Sequence, residues 1–156
     1  MDRGFTVYAV PNLQVIRAVM ANILVPEFAV SNWLASKDFY CRILGFECLY
    51  ERPEEGFCYL SLDGAELMID QIGLGRSFDD GHLPRSFPFG KGLNVQIKVP
   101  RIGPLLNALA AAEIPLHLDP EDKWYRKHGG EVGNRQFVVA DPDGYLLRFF
   151  EDLGRR

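Results

Sequence analysis

One cation in this sequence is placed where it could hold an anion. In the segment Tyr145–Glu151, strand alternation puts Leu146, Arg148 and Phe150 on one face and Tyr145, Leu147, Phe149 and Glu151 on the other. Arg148 therefore stands between two hydrophobic neighbours. A second concentration of recognition chemistry lies at Trp124-Tyr125-Arg126-Lys127, where two aromatic rings precede two cations. Rings of this kind can form a flat wall for a planar ligand, with offset stacking worth roughly 0.5–1.5 kcal/mol per pair beyond burial. The same two rings could instead cap the core beneath a long loop.

Other catalytic arrangements are missing. The three histidines, His82, His117 and His128, have no metal-ligand spacing to one another. There is no Gly-x-Ser-x-Gly nucleophile turn and no glycine-rich phosphate loop. The three cysteines, Cys41, Cys48 and Cys58, are odd in number and form no Cys-x-x-Cys pair. They predict reduced thiols and a cytoplasmic setting. Cys58 reads as a small buried hydrophobe.

The elements that position these residues follow from turn chemistry and periodicity. Asp141-Pro142-Asp143-Gly144 is a turn signal between two strand patterns, Arg135–Ala140 and Tyr145–Glu151, so this end of the chain reads as a β-hairpin. Residues 22–30 read as a strand in which Pro26 cannot donate to a ladder, which points to an edge or a module boundary. Ser31 and Asn32 can cap a helix whose apolar stripe runs through Trp33, Ser36, Phe39, Tyr40, Ile43 and Leu44 and stops at Gly45. Trp33 and Phe39 belong to its core side. Three short strands follow, at 46–51, 57–62 and 66–72. Residues 73–91 are rich in Gly, Pro, Ser and Asp and read as a linker. A strand at 93–99, a helix through Ile102–Ala112 and a strand from Pro115 then restart the pattern. The order strand–helix–strand–strand–strand thus occurs twice. The second copy is longer, and the excess at 120–130 is expected to be a binding loop.

The predicted division is a 1–19 extension without a signal-peptide layout, a first module at 20–72, the linker 73–91, a second module at 92–152 and a tail at 153–156. The chain has 156 residues, is 47% hydrophobic and carries a formal charge of −4. That composition supports a real core. The mild acidity argues against a general nucleic-acid partner, and no apolar run is long enough for a membrane span.

Paired βαβββ modules, the phrase Asp38-Phe39-Tyr40 followed by Leu44-Gly45-Phe46, and the Asp141–Gly144 hairpin together resemble the vicinal oxygen chelate superfamily. This group includes glyoxalase I, extradiol dioxygenases and bleomycin resistance proteins. The resemblance covers about residues 22–152. It implies an α+β fold whose two modules curl their sheets around a cleft, often completed by dimerisation. Enzymes of the group hold one divalent metal through four strand positions, and here the resemblance places those positions at Val25, Met68, Asn94 and Arg148. None is His, Asp or Glu, and an arginine is a poor neighbour for a divalent cation. Glu27, two residues beyond Val25, and Asp70, two beyond Met68, would instead pair with Arg148 in the cleft or supply displaced ligands. Glu27 could also serve as a general base, since an apolar cleft raises a carboxyl pKa.

Val25-Pro26 and the Leu146-Leu147-Arg148 run after the hairpin turn are similar to the metal-free bleomycin resistance branch. The reading is therefore a metal-independent, cofactor-free homodimer that sequesters an amphipathic small molecule. Its contact residues are expected to be Glu27, Met68, Asn94, Trp124, Tyr125, Arg148 and Phe150. The alternative is a metal-dependent glyoxalase- or dioxygenase-type enzyme with displaced ligands.

Overall fold

The structure, a computed structural model, describes residues 22–75 and 81–156. The extension expected at 1–19 lies outside the described residues. The chain forms two four-stranded mixed sheets. In the first half, β1 (Glu27–Val30), α1 (Trp33–Asp38), β2 (Glu47–Arg52), β3 (Phe57–Leu62) and β4 (Ala65–Gln71) give a sheet of order β1-β4-β3-β2. In the second, β5 (Asn94–Lys98), α2 (Gly103–Ala111), β6 (Leu116–Lys127), β7 (Gly130–Ala140) and β8 (Leu146–Arg155) give the matching order β5-β8-β7-β6. Each module is thus a βαβββ unit. β1 pairs in parallel with β4, and β5 with β8, and the other pairs are antiparallel.

Local chemistry explains the element ends. Asn32 caps α1, its side-chain oxygen accepting from Leu34 N and Ala35 N at 3.1 Å. The helix then widens into a π-helical turn over Phe39–Ile43, which turns both Phe39 and Tyr40 into the interior. The stripe read from the sequence is continuous, but its hydrogen-bond pattern is not. β1 starts at Glu27, later than the strand expected at 22–30, because Pro26 has no N–H to give. Pro26 still contributes its carbonyl, which accepts from Met68 N at 2.8 Å.

One hydrophobic core joins the modules. α1 and α2 send Trp33, Leu105 and Leu109 into it, and the strands add Phe28, Leu60, Ile69, Phe137, Leu147 and Phe149. Phe28 of the first module stacks on Tyr145 of the second with centroids 4.3 Å apart. Each sheet therefore has one face committed to this core. The other, here called the open face, carries the remaining residues of each strand.

The expected loop at 120–130 is corrected by the structure. β6 and β7 run on as a paired ribbon, with Trp124 opposite Gly133 and Lys127 opposite Gly130. The aromatic and charged residues that suggested a loop instead form one arm of a hairpin, pairing with the strand that follows directly through the tight turn at His128-Gly129. The 82–91 part of the expected linker is docked rather than loose. Phe89 N donates to Asp143 O at 2.8 Å, and Pro88 lies so close to Gly144 that any Cβ there would collide with it. No helix among the described residues is long and apolar enough to cross a membrane.

Candidate functional site

The hairpin turn is the joint between the modules. Asp141 Oδ1 accepts from Asp143 N at 3.0 Å and Tyr145 N at 2.8 Å, and its Oδ2 accepts from Tyr40 Oη at 2.9 Å. Asp143 Oδ2 accepts from Ser31 N at 2.9 Å, and Tyr145 Oη donates to Ala29 O at 2.9 Å. Burial pushes the Asp141 carboxyl up to about 6, although these three hydrogen bonds pull the other way. Both aspartates of the turn are buried, so their role is to clamp the first module to the second.

The open face of the second sheet carries Arg148. It stands half-buried between Leu146 and Phe150 on β8, with Gln96 beside it on β5 and Val138 on β7. Its Nε is buried without a hydrogen-bond partner. The ion pair expected between Arg148 and Glu27 or Asp70 is not formed. No carboxylate on β5, β7 or β8 shares the immediate register of Arg148, and Glu27 and Asp70 stand on the other sheet. Further along, Gln136 Nε2 donates to Glu121 Oε1 and to Tyr125 Oη, both at 2.8 Å. Asn94 is exposed at the start of β5 on this same face.

Register separates the two aromatics of the β6 ribbon. Tyr125 faces with Gln136 and hence with Arg148 and Phe150. Trp124 faces the opposite way, laid over Gly133, with the Arg156 guanidinium 4.2 Å above its ring. The pair cannot form one wall, because neighbouring strand residues point to opposite faces.

The open face of the first sheet carries an aromatic run that the sequence reading passed over. Tyr50 stacks on Tyr59 with centroids 5.1 Å apart and lies 5.9 Å from Phe57. Arg52 covers Phe57 at 3.7 Å. Met68 is registered against Tyr59 on one side and Glu27 on the other. The signal was present as the alternation Phe57, Tyr59, Ser61 against Cys58, Leu60, Leu62. Tyr59 Oη donates to Glu66 Oε2 at 2.7 Å, which engages that carboxylate. Burial is the main reason the Tyr59 hydroxyl is raised to about 12, so it stays protonated as a donor.

Between the modules lies a cavity of about 460 Å³. Glu27, Ala29 and Tyr145 line one side, and His82, Arg85 and Lys91 approach from the 82–91 segment. This volume is within the range of small-molecule sites. Glu27, an expected contact residue, is thus exposed at the cavity, while Met68 lies half-buried beside it on β4.

The Glyoxalase/Bleomycin resistance protein/Dioxygenase superfamily matches residues 22–149. The chain belongs to this superfamily. Among solved structures, a glyoxalase/bleomycin resistance protein/dioxygenase superfamily member from Vibrio splendidus 12B01 is 38% identical, over 83% of this chain and 97% of that one, with a TM-score of 0.35. TnmS3, an antibiotic-binding protein from Streptomyces sp. CB03234, is 20% identical over 85% and 98%, with a TM-score of 0.57. A lactoylglutathione lyase from Agrobacterium tumefaciens is 16% identical over 82% and 92%, with a TM-score of 0.54. No curated protein matches. The last two likenesses concern the glyoxalase-type fold alone.

The resemblance places a metal site of the superfamily's enzymes at Val25, Met68, Asn94 and Arg148. Val25 precedes β1, and the residue registered against Met68 is Glu27. Even with Glu27 counted, the set is one carboxylate, one thioether, one neutral amide and one guanidinium. That donor set does not fit a divalent cation, because Arg148 adds a fixed positive charge and offers no lone pair.

Proposed function

We propose that this superfamily member is a small-molecule-binding protein that works without a metal at the family's open-face position. The ligand is amphipathic, with a planar apolar part and an anionic group. One observation carries the reading: Arg148 is held half-buried between Leu146 and Phe150 with its Nε buried and unpaired. A guanidinium desolvated in this way gains strongly from a carboxylate or phenolate, through charge-assisted hydrogen bonds. Phe150 and Asn94 stand near it on the same open face, and Tyr125 lies further along that face against Gln136. Tyr50, Tyr59 and Met68 offer a second, aromatic face on the other sheet.

Each chain presents these two faces separately. A homodimer that brings the first open face of one copy to the second open face of the other would enclose a ligand on both sides, in the manner of the bleomycin resistance branch, in the cytoplasm. The antibiotic-binding neighbour is consistent with that use.

Calorimetric titration of chelator-treated protein tests this. The ligands are bleomycin and a planar aromatic carboxylate antibiotic. Saturable heat with at least one of them is expected, unchanged by the chelator and reduced about tenfold or more in Arg148→Ala. No heat with either at tens of micromolar protein, or binding that the chelator abolishes, would overturn the proposal.

A second reading, a metal-dependent enzyme with displaced ligands, has Glu27 in its favour. That carboxylate is registered against Met68, with Glu66 and Asp70 on the same strand face of β4. Metal-dependent turnover lost in Glu27→Gln would favour it.

A further inference from the structure

The three thiols gather on the core side of the first sheet, away from both open faces. Cys48 Sγ, Cys58 Sγ and a Glu51 carboxylate oxygen all lie within 4.8 Å of one another. Cys48 and Cys58 each stand 3.8 Å from Glu51 Oε2. Two thiolates and a carboxylate around a tetrahedral zinc ion, with bonds of about 2.3 and 2.0 Å, would stand about 3.5 Å apart from sulfur to oxygen. Closing the two sulfur–oxygen gaps needs only a few tenths of an ångström.

A defect in the sheet builds this arrangement. Cys48 and Glu51 are three apart and would point to opposite faces of a regular strand. The β2–β3 register shifts between Cys48 and Tyr50, so that Cys48 is opposite Leu60 while Glu51 is opposite Cys58. The bulge at Leu49 thereby turns Glu51 to the same side as both cysteines. Lys37 on α1 then reaches Glu51 Oε2 in an ion pair. Oε1 of Glu51 accepts no hydrogen bond from any described residue.

We propose that Cys48, Cys58 and Glu51 form a binding site for a thiophilic divalent cation of the Zn²⁺ class, with Lys37 as its charge-balancing neighbour. Two thiolates and one carboxylate carry three negative charges. The metal and the Lys37 ammonium carry three positive charges, so the filled site is neutral. Binding releases the two thiol protons to solvent. In the metal-free protein the Cys58 thiol stays protonated, because burial and the neighbouring Cys48 push it up to about 12. Hard cations such as Mg²⁺ gain nothing from sulfur and are excluded by ligand type. Cys58 is fully buried and Glu51 is 35% exposed, so the ion enters from the Glu51 side and solvent completes its shell. This cation would sit on the sheet face opposite to the one that carries Met68, so it is independent of the ligand-binding reading above.

The test uses the full chain, reduced with a phosphine and freed of metal, titrated with Co²⁺. A thiolate-to-cobalt charge-transfer band saturating at one equivalent is expected, with Zn²⁺ displacing the cobalt. Cys48→Ser should weaken binding about tenfold or more and Glu51→Gln by a smaller factor, while Cys41→Ser leaves affinity unchanged. Cys48 is only half-buried, so its variant keeps the test valid even where Cys58→Ser fails to fold. Thermal unfolding of each metal-free variant checks the fold. No charge-transfer band, a band whose affinity is unchanged in Cys48→Ser, or reduced protein that merely forms a Cys48–Cys58 disulfide in air without retaining metal would each overturn the proposal.

Discussion

Tyr40 donates its hydroxyl hydrogen to Asp141 across 101 residues of sequence, at 2.9 Å and fully buried. Each belongs to one of the two phrases that carry the resemblance, the first-module helix and the final turn. Their bond is part of what holds module to module. Tyr40→Phe keeps the ring, and with it the edge contacts to Phe39 and Phe46, but leaves Asp141 Oδ2 without this donor. The expected cost is about 1–3 kcal/mol, read from the denaturant midpoint at unchanged slope.

The same carboxyl makes stability depend on pH. Asp141 is raised from 3.8 to about 6 in the folded chain, so the unfolded chain ionises first. Its contribution to stability is full below about pH 4 and is lost as pH rises through 6, by an amount on the order of 3 kcal/mol. Asp38, Asp122 and Asp152 are lowered by their hydrogen bonds and act in the opposite direction at lower pH. Comparing wild type with Asp141→Asn cancels those. The stability difference between the two proteins should shift against wild type from pH 4 to pH 7. A difference that stays flat would remove Asp141 as the titrating group.

Arg148→Met should separate binding from folding. Methionine fills similar space between Leu146 and Phe150 and has no buried donor to leave unpaired. Thermal stability is expected to hold or rise, while affinity for an anionic ligand falls. A stability loss above about 2 kcal/mol would mean that the guanidinium is structural.

Trp124 and Tyr50 should behave oppositely. Trp124 lies over Gly133 beneath Arg156, so Trp124→Ala is expected to lower the melting temperature and leave ligand affinity unchanged. Tyr50 is 50% exposed on the open face, stacked on Tyr59. Tyr50→Ala is expected to weaken a planar ligand by about 0.5–1.5 kcal/mol with little effect on folding.

Gly144 has φ of +89° and abuts Pro88. Gly144→Ala is strained in both respects and should destabilise by more than about 1 kcal/mol, the usual scale for backbone incompatibility. Equilibrium unfolding measures it.

Much of the architecture is legible without coordinates because it rests on local rules. Asn32 caps a helix, Asp-Pro-Asp-Gly turns a chain, and the alternation in Tyr145–Glu151 sends Leu147 and Phe149 inward and Arg148 to the open face. The 120–130 segment reads as a loop because its aromatic and charged residues lack clean apolar alternation, yet it pairs with the strand just beyond the His128-Gly129 turn. Gly133 accommodates the Trp124 ring, and Tyr125 meets Gln136, only once β6 and β7 are aligned. The absent ion pair has a longer-range origin: Glu27 and Asp70 stand on the first sheet and Arg148 on the second.

Sequence alone determined the two βαβββ units and the face that Arg148 occupies. These follow from periods of two and 3.6 and from side-chain chemistry, which every residue carries wherever it sits. Only the tertiary structure decided that Tyr40 meets Asp141, that Trp124 and Tyr125 part company, and that a single bulge at Leu49 brings Glu51 to Cys48 and Cys58. The first depends on packing between segments far apart in the chain, and the other two on the register of neighbouring strands. A one-residue shift in pairing reverses which face a side chain takes.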